Sequence, residues 1–312
     1  MTSSALKDST PSMKRPTVSI VMRTKDVADI VGQTLSALYS QTFQNFDLLV
    51  VDSGSKDETL QIVSRYPSRV ISIRPEDYYP GRVLNRALAD TTGDIVVFLN
   101  SDVVMLRPDV LERLLAAFAE PKVMAAFARQ LVRPEAHDWV IRDYIEAYPE
   151  TGQAPVWQPY SLPLAAMRRE AWQIQPFYTD AWGSEDTEWG VRARERGFAI
   201  AYVPEAIVMH SHNYTLRQLY GRRFIEGEAD AFIYRNHDSI PGRLAASARS
   251  MANDIAFSLG RGHIDQALLS IPRRIVYHWA YYKGRTLGER RRVHNDPDSS
   301  LGQKTVLSRY AA

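Results

Sequence analysis

From residue 17 onward the chain alternates short apolar runs with segments in which apolar residues recur at helical spacing. The runs 18–22 (VSIVM), 46–51 (FDLLVV), 70–73 and 95–99 (IVVFL) read as strands, and an apolar run of this kind suits a strand buried on both faces. Between them, 30–39, a segment from Asp57 to Tyr66, and 82–89 read as helices, with Asp57 placed to cap the second. Pro108, well suited to a first helical position, opens another that lasts to Ala119. This alternation predicts an α/β fold with a mainly parallel sheet and helices on both faces. Ligands in such sheets sit beyond the carboxyl ends of the strands. Three polar clusters fall there: Arg23-Thr24-Lys25-Asp26 after the first strand, Asp52 after the second, and Asn100-Ser101-Asp102 after the fourth.

The second half changes character. Residues 134–163 are rich in proline and aromatics and read as irregular, and 164–167 form a short strand before a turn at Arg168-Arg169. Helical spacing returns over 185–196 and stops at Gly197. Strand-like runs at 199–203 and 206–209 flank Pro204, and 216–234 reads as a long amphipathic helix. Further helices follow Ile240-Pro241-Gly242 and end in a basic, aromatic segment over 271–292. No internal repeat is visible. The expected division is a disordered polar leader over 1–15, a main domain over 16–235 and a C-terminal basic helical region over 236–312.

Composition narrows the classes. The 312 residues are 45% hydrophobic and 24% charged, enough for a full core without staples. There is no cysteine, which excludes disulfides, thiolate catalysis and cysteine-ligated metal sites. The first fifteen residues lack the apolar centre of a signal peptide, and no run reaches the ~20 apolar residues that span a bilayer, so a soluble or peripheral protein is expected. A net charge of +2 gives no reason to expect a nucleic-acid partner. From Asn236 onward, however, 12 Lys and Arg stand against 6 Asp and Glu, with 26 against 30 before it. A basic tail on a mildly acidic body suits an anionic membrane surface, and suits equally a helix packed on the main domain or on a second subunit.

Three motifs offer chemistry. Asn100-Ser101-Asp102 ends a hydrophobic strand, where a turn can present a carboxylate to a cation, although these residues are also ordinary turn formers. Trp182-Gly183-Ser184-Glu185-Asp186 opens a helix, where adjacent carboxylates either favour the positive helix end or place a base beside a sugar held by the aromatic ring and the close-approach glycine. His210 and His212 at i, i+2 on a strand end point the same way, a geometry that suits a metal and is also common in structural histidines.

In this order VSIVMRTKD, VVDSGSKDET, GRVLNRALADTTGDIVVFLNSD, WGSEDTEWGVRARERGF and YVPEAIVMHSH resemble glycosyltransferase family 2, and within it bacterial rhamnosyltransferase-like members that build surface polysaccharides. The resemblance spans about residues 17–234. It implies a GT-A type, Rossmann-like domain with a C-terminal helical appendage, located in the cytoplasm, with the basic tail as a candidate peripheral contact on the inner membrane face. It also implies a nucleotide-sugar donor, a glycan or lipid-linked acceptor and an Mn or Mg cofactor. By position, it assigns Arg23, Thr24 and Asp52 to the nucleobase and ribose, and Gly81, Arg82 and Asn85 to the helix lining the nucleotide. Asn100, Ser101 and Asp102 match the family's Asp-x-Asp motif with Asn at the first position, leaving Asp102 as the main metal carboxylate. Trp182 and Gly183 match the acceptor side, Glu185 and Asp186 the acidic pair with Asp186 as base, and His210 the metal histidine, with His212 as runner-up.

The chemistry agrees with these residue types. A divalent cation stabilises the charge growing on a departing nucleoside diphosphate, while a carboxylate on the far side of the sugar takes the acceptor's proton in a displacement that inverts the anomeric carbon. Arg217, Arg222 and Arg223, which follow the histidines, are candidate phosphate ligands. A nucleotidyltransferase would want a glycine-rich phosphate loop after the first strand, and a dinucleotide oxidoreductase would need G-x-G-x-x-G there; RTKDVADIVG supplies neither. A degenerate carbohydrate- or nucleotide-binding protein on the same fold is the remaining alternative, with Asn100 as its best support.

Overall fold

A computed structural model describes residues 17–179, 182–234 and 240–294; the expected leader and the boundary at 235–236 lie outside them. Eight strands form one sheet: β1 (Val18–Thr24), β2 (Phe46–Asp52), β3 (Arg69–Ser72), β4 (Ile95–Asn100), β5 (Val104–Met105), β6 (Val123–Leu131), β7 (Leu164–Arg168) and β8 (Ala199–Met209). Their order is β3-β2-β1-β4-β7-β6-β8-β5. The half β3-β2-β1-β4 is parallel; β7 runs antiparallel to β4 and β6, β6 is parallel to β8, and β5 is antiparallel to β8.

The parallel half is buried on both faces, as its apolar runs require. On one face Ile20, Met22, Val50 and Val97 pack against Val31, Leu35 and Leu38 of α1 (Val31–Tyr39), Val63 of α2 (Thr59–Val63), and Leu111 and Leu114 of α4 (Val110–Ala116). On the other, Val21, Leu49, Val51 and Phe98 meet Val83, Leu84 and Leu88 of α3 (Pro80–Ala89) and Trp189 of α7 (Glu185–Glu195). Register then builds the sheet's polar edge, setting Thr24 opposite Asp52 and Arg23 opposite Asn100.

Several boundaries differ from the sequence expectation, each for a local reason. Pro108 stands ahead of α4, with its carbonyl accepting from Thr42. Asp57 does meet the start of α2, accepting from the Thr59 amide, but the helix stops at Val63. The expected turn at Arg168-Arg169 is the start of α6 (Arg169–Ile174). The runs flanking Pro204 are one strand, with a register shift against β6 that absorbs the missing proline donor. The stretch read as irregular contains α5 (Asp138–Ala147), whose Trp139, Val140 and Ala147 are buried.

The C-terminal helices are α8 (Leu216–Ile233), α9 (Ile240–Gly260) and α10 (Ile264–Val293). Thr215 caps α8 through a capping box with Gln218. α8 and α10 meet backbone to backbone: a Cβ on Gly284 would lie 1.9 Å from the Phe224 carbonyl, and one on Gly227 2.2 Å from that of Tyr281. α9 and α10 form a hairpin tied by Asp254 to Arg274 and Ser250 to His278. Asp254 also accepts from Arg142 of α5, so the hairpin is fastened to the main domain.

Candidate active site

Strand β1 delivers Arg23 and Thr24 to the polar edge. Arg23 donates to the Glu185 carboxylate at 2.8 Å and to the Tyr78 hydroxyl at 3.3 Å, which spans the cleft from sheet to α7. Thr24 is 4% exposed, and its hydroxyl has no hydrogen-bond partner among the described residues. Beyond it the chain takes a left-handed turn at Asp26 (φ 48°), whose carboxylate accepts from the Lys56 amide at 2.7 Å and joins the loops after β1 and β2.

Asn100, Ser101 and Asp102 follow β4. The turn is held from both sides: the Ser101 carbonyl accepts from Thr34 at 2.9 Å, and Arg133 donates to the Asp102 carbonyl at 2.6 Å. The chain beyond β8 brings histidines to the same place, because the His210 amide extends the ladder to the Leu131 carbonyl and the i, i+2 spacing turns both rings one way. The Asp102 carboxylate lies 3.1 Å from His212 Nε2 and 3.6 Å from His210 Nε2, and one ligand atom from each of the three falls within 4.8 Å of the others. Burial opposes the charge on Asp102, but the His212 hydrogen bond and the His210 imidazole outweigh it and hold the carboxyl down at about 2. Burial pushes His210 down to about 4, so near neutral pH it is the uncharged imidazole that metals bind. One carboxylate and two imidazoles make a donor set that Mn²⁺ accepts.

α7 supplies the acidic pair. Ser184 precedes it in the left-handed region (φ 56°, ψ 27°), a conformation that strains a residue with a Cβ and belongs to sites where geometry is over-determined. The Asp186 carboxylate accepts from the Thr187 amide at 2.8 Å and the Leu162 amide at 3.4 Å. Burial in the cleft and the neighbouring Glu185 push its carboxyl up to about 6.

These groups border two adjoining cavities. One, of 410 Å³, is lined by Thr24, Ser53, Tyr78, Asp102 and Trp182 among others. The second, of 700 Å³, contains Asp186 and His210 and is walled by Trp139 and Tyr144 of α5, Tyr148, and Tyr277 and Tyr281 of α10. Arg23, Asn100, Glu185, His212 and Arg222 line both, at the junction.

The structure thus brings together Arg23, Thr24, Asn100, Ser101, Asp102, Trp182, Gly183, Glu185, Asp186, His210 and His212. Trp182 and Gly183, expected on the acceptor side, line the smaller cavity with Thr24. Four expected nucleotide contacts fall outside both linings. Asp52, 2% exposed, spends its carboxylate on the amides of Gly54 and Ser55. Gly81 is a packing glycine, since a Cβ there would lie 1.8 Å from the Tyr178 carbonyl. Asn85 clamps the 172–177 segment, donating to the Phe177 carbonyl and accepting from the Phe177 amide and the Trp172 indole. Arg82 lies over the Tyr79 ring, 4.5 Å from its centroid. The start of α3 does reach the cleft, through Tyr78 and Pro80. Gln130, Tyr148 and Ser161 were missed; they carry no motif, and their only sequence sign was the density of polar and aromatic residues before β7.

A half-parallel α/β sheet whose strand ends present a metal-competent carboxylate–histidine group beside an acidic helix start is the layout of a nucleotide-sugar glycosyltransferase. Residues 19–179 match the profile of glycosyl transferase family 2, and the chain belongs to that family. It is 32% identical over 270 residues to the O-antigen chain rhamnosyltransferase WbaN of Salmonella anatum, covering 81% of this chain and 82% of that one. It is 26% identical over 288 residues to the corresponding RfbN of Salmonella typhimurium, covering 87% and 89%. Among solved structures, a mannosyltransferase from Pyrobaculum calidifontis, in complex with GDP-Man and Mn²⁺, shares the fold with a TM-score of 0.59 at 20% identity, covering 88% of each chain.

Proposed function

We propose that this glycosyltransferase is metal-dependent and inverting, moving a sugar from a nucleoside-diphosphate donor in the smaller cavity to a glycan or lipid-linked acceptor in the larger one. The observation that carries the reading is that the metal-competent group and the acidic pair border the same two adjoining cavities: Asp102 lines the smaller, Asp186 and His210 the larger, and Glu185 and His212 both. Asp102, His210 and His212 would hold Mn²⁺ or Mg²⁺, which supplies Lewis-acid stabilisation of the diphosphate leaving group. Asp186, its proton affinity raised into the range useful near neutral pH, takes the proton of the attacking acceptor hydroxyl. Glu185 is held by Arg23 and orients sugar hydroxyls beside it. Trp182, edge-on to Tyr78, walls the donor cavity. The two relatives named as rhamnosyltransferases support rhamnose as the transferred sugar.

The test is release of nucleoside diphosphate from a panel of nucleotide sugars with Mn²⁺ or Mg²⁺, with and without chelator. Chelator-sensitive release is expected; inertness across the panel would favour the second reading, a degenerate binder, for which Asn100 in the metal motif is the motivating observation.

The partner surface follows from α10. Ile264, Leu268, Ile275 and Trp279 are exposed at helical spacing along it, and the same face continues into exposed Lys283 and Arg290. Among the described residues no helix is long and apolar enough to cross a membrane. An apolar stripe running into exposed cations complements an anionic lipid surface better than a second copy of itself. Co-sedimentation with phosphatidylglycerol-containing vesicles at low salt is expected, and its absence there would end the idea.

A further inference from the structure

Gln130 lies on β6, 2% exposed, between the histidine of the metal group and a pair of buried hydroxyls. Its amide nitrogen is 2.8 Å from the Tyr148 hydroxyl and 2.9 Å from that of Ser161, and the two hydroxyls are 2.9 Å apart. Each side of this triangle needs a hydrogen, and the two hydroxyls carry one each. Were the amide oxygen turned inward, one side would face oxygen against oxygen with no proton between them. With the nitrogen inward, its two hydrogens fill two sides and either hydroxyl fills the third. The hydroxyl pair therefore decides which way the amide points, independently of the histidine.

The consequence falls on His210. The amide oxygen is turned toward its Nδ1 at 2.9 Å, and a carbonyl oxygen only accepts. Nδ1 must carry the ring proton, the opposite tautomer to the one a free imidazole favours. Nε2 is left with its lone pair toward Asp102, 3.6 Å away.

We infer that Gln130, clamped by Tyr148 and Ser161, is a positioning residue that holds His210 in the tautomer whose Nε2 is free to ligate a divalent cation. The inference rests on the reading of Asp102, His210 and His212 as the metal group. An outer partner of this kind fixes both ring orientation and ligand basicity, and its loss typically weakens metal affinity ~10–100-fold. The same triangle reaches toward the base, because Ser161 precedes Leu162, whose amide meets Asp186.

The experiment titrates Mn²⁺ into the full chain and reads the free ion by electron paramagnetic resonance, for the wild type, Gln130→Leu, Gln130→Glu and Asp102→Asn. Alongside it, ¹⁵N spectra of the histidine-labelled, metal-free wild type read the His210 tautomer. Expected are a proton on His210 Nδ1, Mn²⁺ affinity reduced ~10–100-fold in Gln130→Leu, and affinity close to wild type in Gln130→Glu, whose buried carboxyl, when protonated, supplies the triangle's third hydrogen and keeps the acceptor toward His210. Thermal melts confirm that each variant is folded. Equal weakening in both Gln130 variants would mark a merely structural residue and overturn the inference, as would a wild-type proton on Nε2. Uptake sensitive to Asp102→Asn but indifferent to Gln130→Leu would overturn the inference alone. No uptake by the wild type, or uptake indifferent to Asp102→Asn, would overturn the metal reading and the inference with it.

Discussion

Asp186 shows how one side chain can be poised for chemistry at the expense of the fold. Its carboxyl is raised to about 6 by burial and by Glu185, so the folded protein holds its proton more tightly than the unfolded chain does. The sign follows from that. Stability linked to this group is present below the ordinary carboxylate range and is lost as pH rises toward and through 6, where the buried group must ionise. Turnover runs the other way for Asp186 as the proposed general base, which works only when deprotonated, and kcat/KM is expected to rise with pH through about 6. Asp186→Asn should lower transfer by ~10²–10⁴-fold while leaving nucleotide binding intact. At neutral pH it should also melt higher than the wild type, by on the order of 1 kcal/mol, because a buried charge has been removed. Steady-state rates and thermal melts across pH check both halves; near-normal turnover in the variant would remove Asp186 as base.

Secondary-structure elements explain what could be read from the chain and what could not. β1, β2 and β4 were legible because both their faces are buried, which writes unbroken apolar runs into the sequence. β6 was not, since VMAAFARQL carries three small alanines and ends in the polar Arg129 and Gln130 before Leu131, and its packing depends on neighbours supplied by β7 and β8. α5 was hidden by the prolines and aromatics around it; its helicity is secured by burying Trp139 and Val140 against Leu219 of α8, a contact invisible locally. For the candidate site, motif order singled out Asp102, Glu185, Asp186 and both histidines, which the structure gathers around two adjoining cavities. A residue that shapes a loop and one that touches a ligand leave the same trace in a motif, so the motifs alone did not show that Asp52, Gly81 and Asn85 hold loop and helix geometry. α8 and α10 touch through Gly227, Gly284 and Gly288. There a single methyl has nowhere to go: Gly284→Ala should destabilise by about 1–3 kcal/mol. The loss should appear as a lower melting temperature, whereas Gly260→Ala, with open space around it, serves as the silent control.

Across the whole molecule, the larger cavity is built by parts far apart in the chain, and one buried ion cluster keeps them together. Asp254 of α9 is fully buried and accepts from Arg274 of α10 at 2.5 Å and from Arg142 of α5 at 2.6 Å, while Arg274 also reaches Asp143 at 2.6 Å. Helix α5 carries Trp139 and Tyr144, and α10 carries Tyr277, which line the cavity from different sides. Replacing Asp254 by alanine leaves two guanidinium groups competing for Asp143 and Glu146, with Arg274 only 2% exposed. Removing one partner of such a buried network typically costs ~3–5 kcal/mol. The parallel half-sheet and the smaller cavity share none of the contacts named here, so the damage should stay with the larger cavity, the proposed acceptor side. Asp254→Ala is therefore expected to speed hydrogen exchange in α5, α9 and α10 while β1, β2 and β4 remain protected. Hydrolysis of the nucleotide sugar without acceptor should continue at close to the wild-type rate, and the KM for acceptor should rise. Uniform loss of protection through the sheet would show instead that the hairpin supports the entire fold, and that the acceptor wall has no separate stability to lose.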